Sequence, residues 1–374
     1  MTLADIPTPV VAIDRARVRA NIQAMQELAR TAGVALRPHA KTHKSPVIAR
    51  WQLEAGAAGI CCAKLAEAEV FAEAGVRDIR VPYPVNPENA PRVRALLDAG
   101  IAVSIIVDDL EVARQWSQAM VGSGHRLPVL VKVDVGFHRC GVDPDSPRAL
   151  DTIAGVADLA GLSFRGLLSH AGHSYGAESG HALAEIADRE ITILRSLAAR
   201  ARERGVDVTE ISVGSTPTAR FITLQKGATE MRPGNYVFFD RTQAGLGATT
   251  IDGCAMSVIA TVVSRPAAAR VIFDAGSKTL TSDAARGFGS ATGYGLVFAD
   301  LDAITPQPSI VIERLSEEHA VARVLSDCTL KPGDRVRIVP NHACVVTNLA
   351  DQLLLTDGLT ILDRIPVDAR GRNF

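Results

Sequence analysis

The chain has 374 residues, 47% of them hydrophobic, with 40 basic and 41 acidic side chains and a net charge of −1. That length and apolar content suit a sizeable core in two domains and argue against disorder. The evenly mixed charge lacks the footprint of a nucleic-acid or membrane-surface binder, which leaves a small molecule as the expected partner. Residues Met1 to Asp14 carry no basic segment followed by an apolar core, and no apolar run reaches the roughly 18 residues of a spanning helix, so a cytoplasmic protein is expected. The six cysteines include no Cys-x-x-Cys pair and read as reduced thiols, mostly small core residues.

In chain order, Pro9–Ile13 reads as a short strand. Asp14 then stands where an N-cap belongs, before a helical pattern through Val18, Ile22, Met25, Leu28 and Ala29 that stops at Gly33. Strand candidates follow at Val34–Lys41, Gly59–Ala63, Ile79–Pro82, Ala102–Val107, Pro128–Val135, Arg165–Ser169, Glu210–Gly214 and Glu230–Phe239. Helical stretches separate them, the clearest running through Leu183, Ile186, Ala187, Ile191, Leu194, Leu197, Ala198 and Ala201 before Gly205. Eight strand–helix repeats in about 210 residues predict an α/β (β/α)₈ TIM-type barrel over residues 14–244. An open doubly wound sheet is the alternative, but no Gly-x-Gly-x-x-Gly follows the first strand. From 245 the rhythm changes: Ala255–Ser264, Arg270–Asp274, Gly293–Phe298, Ser309–Leu315, Ala320–Val324, Asp334–Pro340 and Leu353–Thr356 are β-rich with no clear amphipathic helix. Residues 245–374, with strand 9–13 pairing into them, are therefore expected to form a mostly antiparallel β domain.

Barrels of this kind carry their chemistry at the C-terminal ends of the strands. Alternation along Val34–Lys41 puts Ala35, Arg37, His39 and Lys41 on one face, so Lys41 would sit desolvated among cations at its mouth. That lowers an amine's pKa and suits it to Schiff-base chemistry; a solvated basic loop is the plainer reading. On the fifth barrel strand Lys132 and Asp134 face inward near Arg139, either in the site or as an interior ion pair. The sixth ends in His170, His173 and Tyr175 around glycines. The loops after the seventh and eighth, Val213-Gly214-Ser215-Thr216-Pro217-Thr218 and Arg232-Pro233-Gly234-Asn235-Tyr236, offer hydroxyls and backbone amides for a phosphate. In the β domain His342 and Cys344, two apart, would point the same way on an extended backbone and could share a zinc ion, although two ligands do not complete a site.

Taken together, Arg37-Pro38-His39-Ala40-Lys41-Thr42-His43-Lys44, Asp134-Val135-Gly136-Phe137-His138-Arg139-Cys140-Gly141, His170-Ala171-Gly172-His173-Ser174-Tyr175, the two phosphate-type loops and Asn341-His342-Ala343-Cys344 resemble the fold-type-III pyridoxal-phosphate enzymes. The likeness is to the D-serine dehydratase and D-threonine aldolase group, related to alanine racemase. It implies that Lys41 is the Schiff-base and catalytic lysine, that Ser215, Thr216, Gly234, Asn235 and Tyr236 hold the phosphate, and that Arg139, His170 and Tyr175 line the cofactor. It sets Arg232 facing the pyridine nitrogen, which would keep that nitrogen unprotonated and weaken the electron sink. His342 and Cys344 match the metal ligands of the dehydratase branch, so the resemblance favours a pyridoxal 5'-phosphate and zinc-dependent dehydratase of D-serine or D-threo-3-hydroxyaspartate. An aldolase on D-threonine, an amino-acid racemase and a non-catalytic pyridoxal-phosphate carrier are the alternatives. A head-to-tail homodimer is also implied, with the β domain of one subunit beside the barrel mouth of the other.

Overall fold

A computed structural model describes residues 1–289 and 292–374, and the elements named below belong to these. Strand β1 (Val10–Asp14) leads into helix α1 (Arg15–Ala32), capped by the Asp14 carboxylate on the Arg17 amide and closed by Gly33 at φ 69°. Eight parallel strands follow: β2 (Ala35–Leu36), β3 (Ile60–Cys61), β4 (Asp78–Pro84), β5 (Ala102–Val107), β6 (Leu127–Lys132), β7 (Leu162–Leu168), β8 (Glu210–Val213) and β9 (Glu230–Met231). Helices α2 (Pro46–Glu54), α3 (Leu65–Glu73), α4 (Ala90–Asp98), α5 (Leu110–Met120), α6 (Pro147–Ala157) and α7 (Gly180–Glu203) cross between them. The sheet runs β2-β9-β8-β7-β6-β5-β4-β3, and a parallel bridge between His39 and Cys61 joins its two edges, so the sheet closes on itself. The expected barrel is present.

Two of its strands are much shorter than their alternation suggests. The Val34–Lys41 strand stops at Leu36, and the Glu230–Phe239 strand stops at Met231. In each, a proline follows within two residues (Pro38, Pro233), and a proline has no N–H for the ladder. Beyond Pro38 the chain turns into a single 3₁₀ turn, Ala40–Thr42, that carries Lys41, and beyond Pro233 into another at Asn235–Val237. The inward set of the first strand is nevertheless real. Arg37 is buried in the lower barrel, where it donates to Asp78 at 2.7 Å and to Glu230 at 2.7 Å, while Arg80 donates to the other Glu230 oxygen at 2.5 Å and to Glu210 at 2.7 Å. This network plugs the end of the barrel opposite Lys41 and fixes the start of the lysine turn.

The rest of the chain adds β10 (Met256–Ala267), β11 (Arg270–Phe273), β12 (Leu296–Phe298), β13 (Ile310–Leu315), β14 (Ala320–Val324), β15 (Arg335–Val339), β16 (Gln352–Asp357) and β17 (Thr360–Pro366). With β1 they make a nine-stranded sheet in which β1 pairs antiparallel with β10 and parallel with β16. The N-terminal strand thus joins the β sheet, as expected. Helix α8 (Arg241–Gly245) lies at the junction with the barrel, and the short helices α9 (Ser277–Leu280) and α10 (Ala343–Leu349) interrupt the β region, in which the sequence shows no clear amphipathic helix. Cys61, Cys62 and Cys254 are buried, the other three cysteines are half-buried, and all six are free thiols. Among the described residues no helix is long and apolar enough to cross a membrane.

Candidate active site

The barrel mouth opens into a cleft of about 240 Å³ lined from the ends of six strands and by three residues of the β sheet's connections, Arg286, His342 and Cys344. Eleven of the twelve residues singled out from the sequence line it: Lys41, Arg139, His170, Tyr175, Ser215, Thr216, Arg232, Gly234, Asn235, His342 and Cys344. Tyr236 does not. Its ring is fully buried behind the cleft and its hydroxyl accepts from Gln52 Nε2 at 3.0 Å, so only its backbone amide remains for an anion.

Lys41 is exposed to the cleft rather than desolvated, because the 3₁₀ turn lifts it off the strand. The neighbouring imidazoles His39 and His170 are held well below their ordinary pKa, by burial first and then by Lys41 and, respectively, Arg232 and Lys132. Both rings are therefore neutral. His170 Nδ1–H donates to the Gly214 carbonyl at 3.1 Å, which leaves Nε2 as an acceptor, and its ring meets Phe137 edge-on with centroids 5.8 Å apart. The Arg139 guanidinium lies over the Phe137 ring, 5.0 Å from its centroid.

Arg232 lies buried in the floor, where it donates to Ser212 Oγ at 2.5 Å and to the Ser169 carbonyl. Lys132 lies beside it, and burial, then Arg232, depress its amine to about 7. The suggested Lys132–Asp134 pair does not form. β6 ends at Lys132, and Asp134 Oδ1 instead accepts the amides of Gly136, Phe137 and His138 at 2.9–3.1 Å, capping the loop that presents Phe137 and Arg139. A chain of hydroxyls runs from Ser174 to Ser215 at 3.0 Å and from Ser215 to Thr218 at 3.0 Å, and Ser215 lines the cleft together with Gly234. A Cβ on Gly234 would fall 2.9 Å from the His39 carbonyl and 3.0 Å from Thr42 Oγ1, so the backbone there approaches the lysine turn as only glycine allows.

His342 and Cys344 do not lie on an extended strand. His342 is the extended N-cap of α10 and Cys344 sits in its first turn, an arrangement that still brings the two side chains together. His342 Nδ1 is 2.6 Å from Asp283 Oδ2, which leaves the other ring nitrogen for Cys344. Burial raises the Cys344 thiol, but His342, Lys41 and Thr42 together more than offset it, and the net shift is downward, toward thiolate. Thr42 Oγ1 lies 3.2 Å from the Cys344 sulfur, so the lysine turn and the imidazole–thiol pair touch. Asp240 ties the two halves: its Oδ2 accepts from Asn235 Nδ2 at 2.6 Å and from the Ala343 amide at 2.9 Å. Among the described residues no group of three or more His, Cys, Asp and Glu side chains converges in metal-ligand range.

Of the two roles open to Lys132, the structure places it in the cleft. Sequence reading set His39 on the inward face without giving it a role, and it missed Arg286, Asp283 and Asp240 as parts of this site. Arg286 and Asp283 come from an irregular loop that carried no periodic signal.

Five cations, Lys41, Lys132, Arg139, Arg232 and Arg286, line the cleft, and among its described lining residues there is no Asp or Glu. Together with the hydroxyl chain and the Gly234 cradle, this donor set fits an anionic phosphorylated pyridine aldehyde. Residues 13–242 match the family model described as alanine racemase, N-terminal domain, and residues 255–356 match that described as putative serine dehydratase domain. The chain is 36% identical to a D-threonine aldolase of Arthrobacter sp, over 99% of this chain and 94% of that protein. It is 35% identical to the D-threo-3-hydroxyaspartate dehydratase of Delftia sp. (strain HT23), over 96% of each. The structure of that dehydratase superimposes with a TM-score of 0.90, covering 98% of both chains at 34% identity. A D-serine dehydratase of Dictyostelium discoideum is 27% identical over 91% of each. The chain belongs to the alanine racemase N-terminal domain family, in the form that also carries the putative serine dehydratase domain, and it is a pyridoxal-phosphate-dependent lyase.

Proposed function

We propose that the protein dehydrates a D-β-hydroxy-amino acid, D-serine or a relative such as D-threo-3-hydroxyaspartate, to a 2-oxo acid and ammonia. The observation that carries this reading is the meeting of Lys41 with an imidazole–thiol pair in one cleft, through the 3.2 Å contact of Thr42 with Cys344. Two solved variants of a D-threo-3-hydroxyaspartate dehydratase replace a histidine and, two positions on, a cysteine, and the cysteine variant is described as metal-free. His342 and Cys344 share that spacing.

Pyridoxal phosphate, when bound, supplies an electron sink conjugated to the substrate Cα. Ser215 and Thr216 hydroxyls and the Gly234 and Asn235 amides would hold its phosphate, while Arg139, His170 and Tyr175 would flank its ring and Arg232 would face its nitrogen. Lys41 Nζ would carry the cofactor and, when free, would be the base that takes the substrate's α-proton. His342 and Cys344 would hold a zinc ion, matched to a soft thiolate and an imidazole, which supplies a Lewis acid for departure of the β-hydroxyl. Asp283 fixes the ring of His342 for that task through its Nδ1. We also infer a head-to-tail homodimer, although one chain by itself already brings His342, Cys344 and Arg286 to its own barrel mouth.

The second reading, aldol cleavage, is favoured by the 36% identity to a D-threonine aldolase. Offering D-serine, D-threo-3-hydroxyaspartate and D-threonine side by side separates the two. Dehydration predicts ammonia and a 2-oxo acid, lost on chelation and in Cys344→Ala. Glycine and an aldehyde, with no ammonia, would replace it with the aldolase.

A further inference from the structure

The motif Lys41-Thr42-His43-Lys44 contains two lysines, and the second has no part in the chemistry above. Lys44 has a φ of +48°, a left-handed backbone that a residue with a Cβ disfavours and that persists only where its surroundings impose it. Those surroundings are unusually complete. The Lys44 and Glu67 side chains are 6% and 1% exposed, with Nζ 2.7 Å from Glu67 Oε1, off the axis of a directed hydrogen bond and so an ion pair by proximity. Nζ also donates to Asn373 Oδ1 at 2.9 Å and to the Ala369 carbonyl at 3.4 Å, and the Lys44 carbonyl accepts the Ala369 amide at 3.0 Å. Glu67, on α3, is itself fixed by the Ala63 amide at 2.5 Å. One residue therefore joins the lysine turn, a barrel helix and the segment 367–373.

A buried ion pair is weak evidence of stabilisation, since its desolvation offsets its attraction, but leaving either charge buried without the other is costly, so backbone arrangements that part the two are disfavoured. The arrangement selected here is the turn three residues long whose Ala40 carbonyl accepts the Lys44 amide at 2.8 Å, with Lys41 facing the cleft and Thr42 against Cys344. We propose that Lys44 is a positioning residue, and that the segment 367–373 is a strap that holds Lys41 in its cofactor-bearing pose through it. Without the clamp, the strained φ relaxes and Lys41 and Thr42 move with it. The inference rests on Lys41 as the cofactor lysine.

The test uses the holoenzyme and three variants, Asn373→Ala, the double variant Lys44→Met with Glu67→Leu, and Arg372→Ala, an exposed neighbour on the strap, as control. The double variant avoids leaving Glu67 buried without a counter-charge. The readouts are the rate at which pyridoxal phosphate is lost to a scavenging amine, the pH midpoint of the lysine-bound cofactor's absorption band, and the thermal midpoint. Loss of one such hydrogen bond is expected to speed release roughly fivefold in Asn373→Ala, and more in the double variant, with a displaced band midpoint and a control at parental values. Parental release rates and band midpoints in both folded variants would overturn the proposal, as would faster release that merely tracks a lower thermal midpoint in all three. Borohydride reduction of the parent separates the premises. Label away from Lys41 overturns the reading of the site and this inference with it, whereas label on Lys41 with parental release overturns this inference alone.

Discussion

Replacing Lys132 with methionine should make the cofactor-free protein more stable at neutral pH, against the usual expectation for a core substitution. Lys132 is 4% exposed, in the cleft floor beside Arg232, and its amine is depressed from the ordinary 10.5 to about 7 by burial first and Arg232 second. At about 1.4 kcal/mol for each tenfold step in a proton equilibrium, that fall corresponds to about 5 kcal/mol, an upper bound because the cleft can relax and admit water. The sign follows from proton counts. Below pH 7 the amine is charged in both folded and unfolded chains, and the fold carries the full penalty. From 7 up to 10.5 the unfolded chain holds more protons than the folded one, so stability rises with pH. Methionine keeps the length and apolar contacts while removing the charge. Denaturant unfolding of parent and Lys132→Met between pH 7 and 8.5 reads the difference before the buried Cys61 thiol, pushed up to about 11, adds a slope of the opposite sign above pH 9. The variant should gain about 2–5 kcal/mol at pH 7, with the gain shrinking as pH rises. A variant less stable than the parent at pH 7, or a difference independent of pH, would refute the argument.

The double variant Ser215→Ala with Thr216→Ala should weaken pyridoxal phosphate binding about 10- to 100-fold by equilibrium titration while sparing thermal stability, since the Ser215 hydroxyl belongs to the Ser174–Ser215–Thr218 chain and is proposed to hold the phosphate. Tyr236→Phe should leave cofactor affinity unchanged and lower stability by about 1–2 kcal/mol in chemical denaturation, because its hydroxyl serves only Gln52 behind the cleft.

The alternation of apolar strands and amphipathic helices made the barrel readable, and the inward parity of His39 and Lys41 survives in the cleft they share. What failed had local causes. Alternation says nothing about where a ladder stops, and Pro38 and Pro233 ended two strands early, turning Lys41 from a desolvated strand residue into one on an exposed turn. The extended backbone supposed for His342 and Cys344 is instead the N-cap and first turn of Ala343–Leu349, which packing makes a helix despite its β-branched residues. Asp134, two residues before Gly136 at φ 113°, is a loop cap, because a short carboxylate ahead of such a glycine bonds the backbone amides that follow it rather than a side chain across the barrel. Asp283 and Arg286 could not have been found, since nothing periodic marks a residue that an irregular loop delivers across the fold.

The most direct test of the site is where the cofactor is bonded. Borohydride reduction of the holoenzyme followed by peptide mapping should give a single pyridoxyl label on Lys41, the lysine that faces the cleft, with Lys44 sealed against Glu67 and Lys132 in the floor left unmodified. Label on Lys44 or Lys132, with Lys41 free, would contradict the assignment of the cleft and of the chemistry built on it.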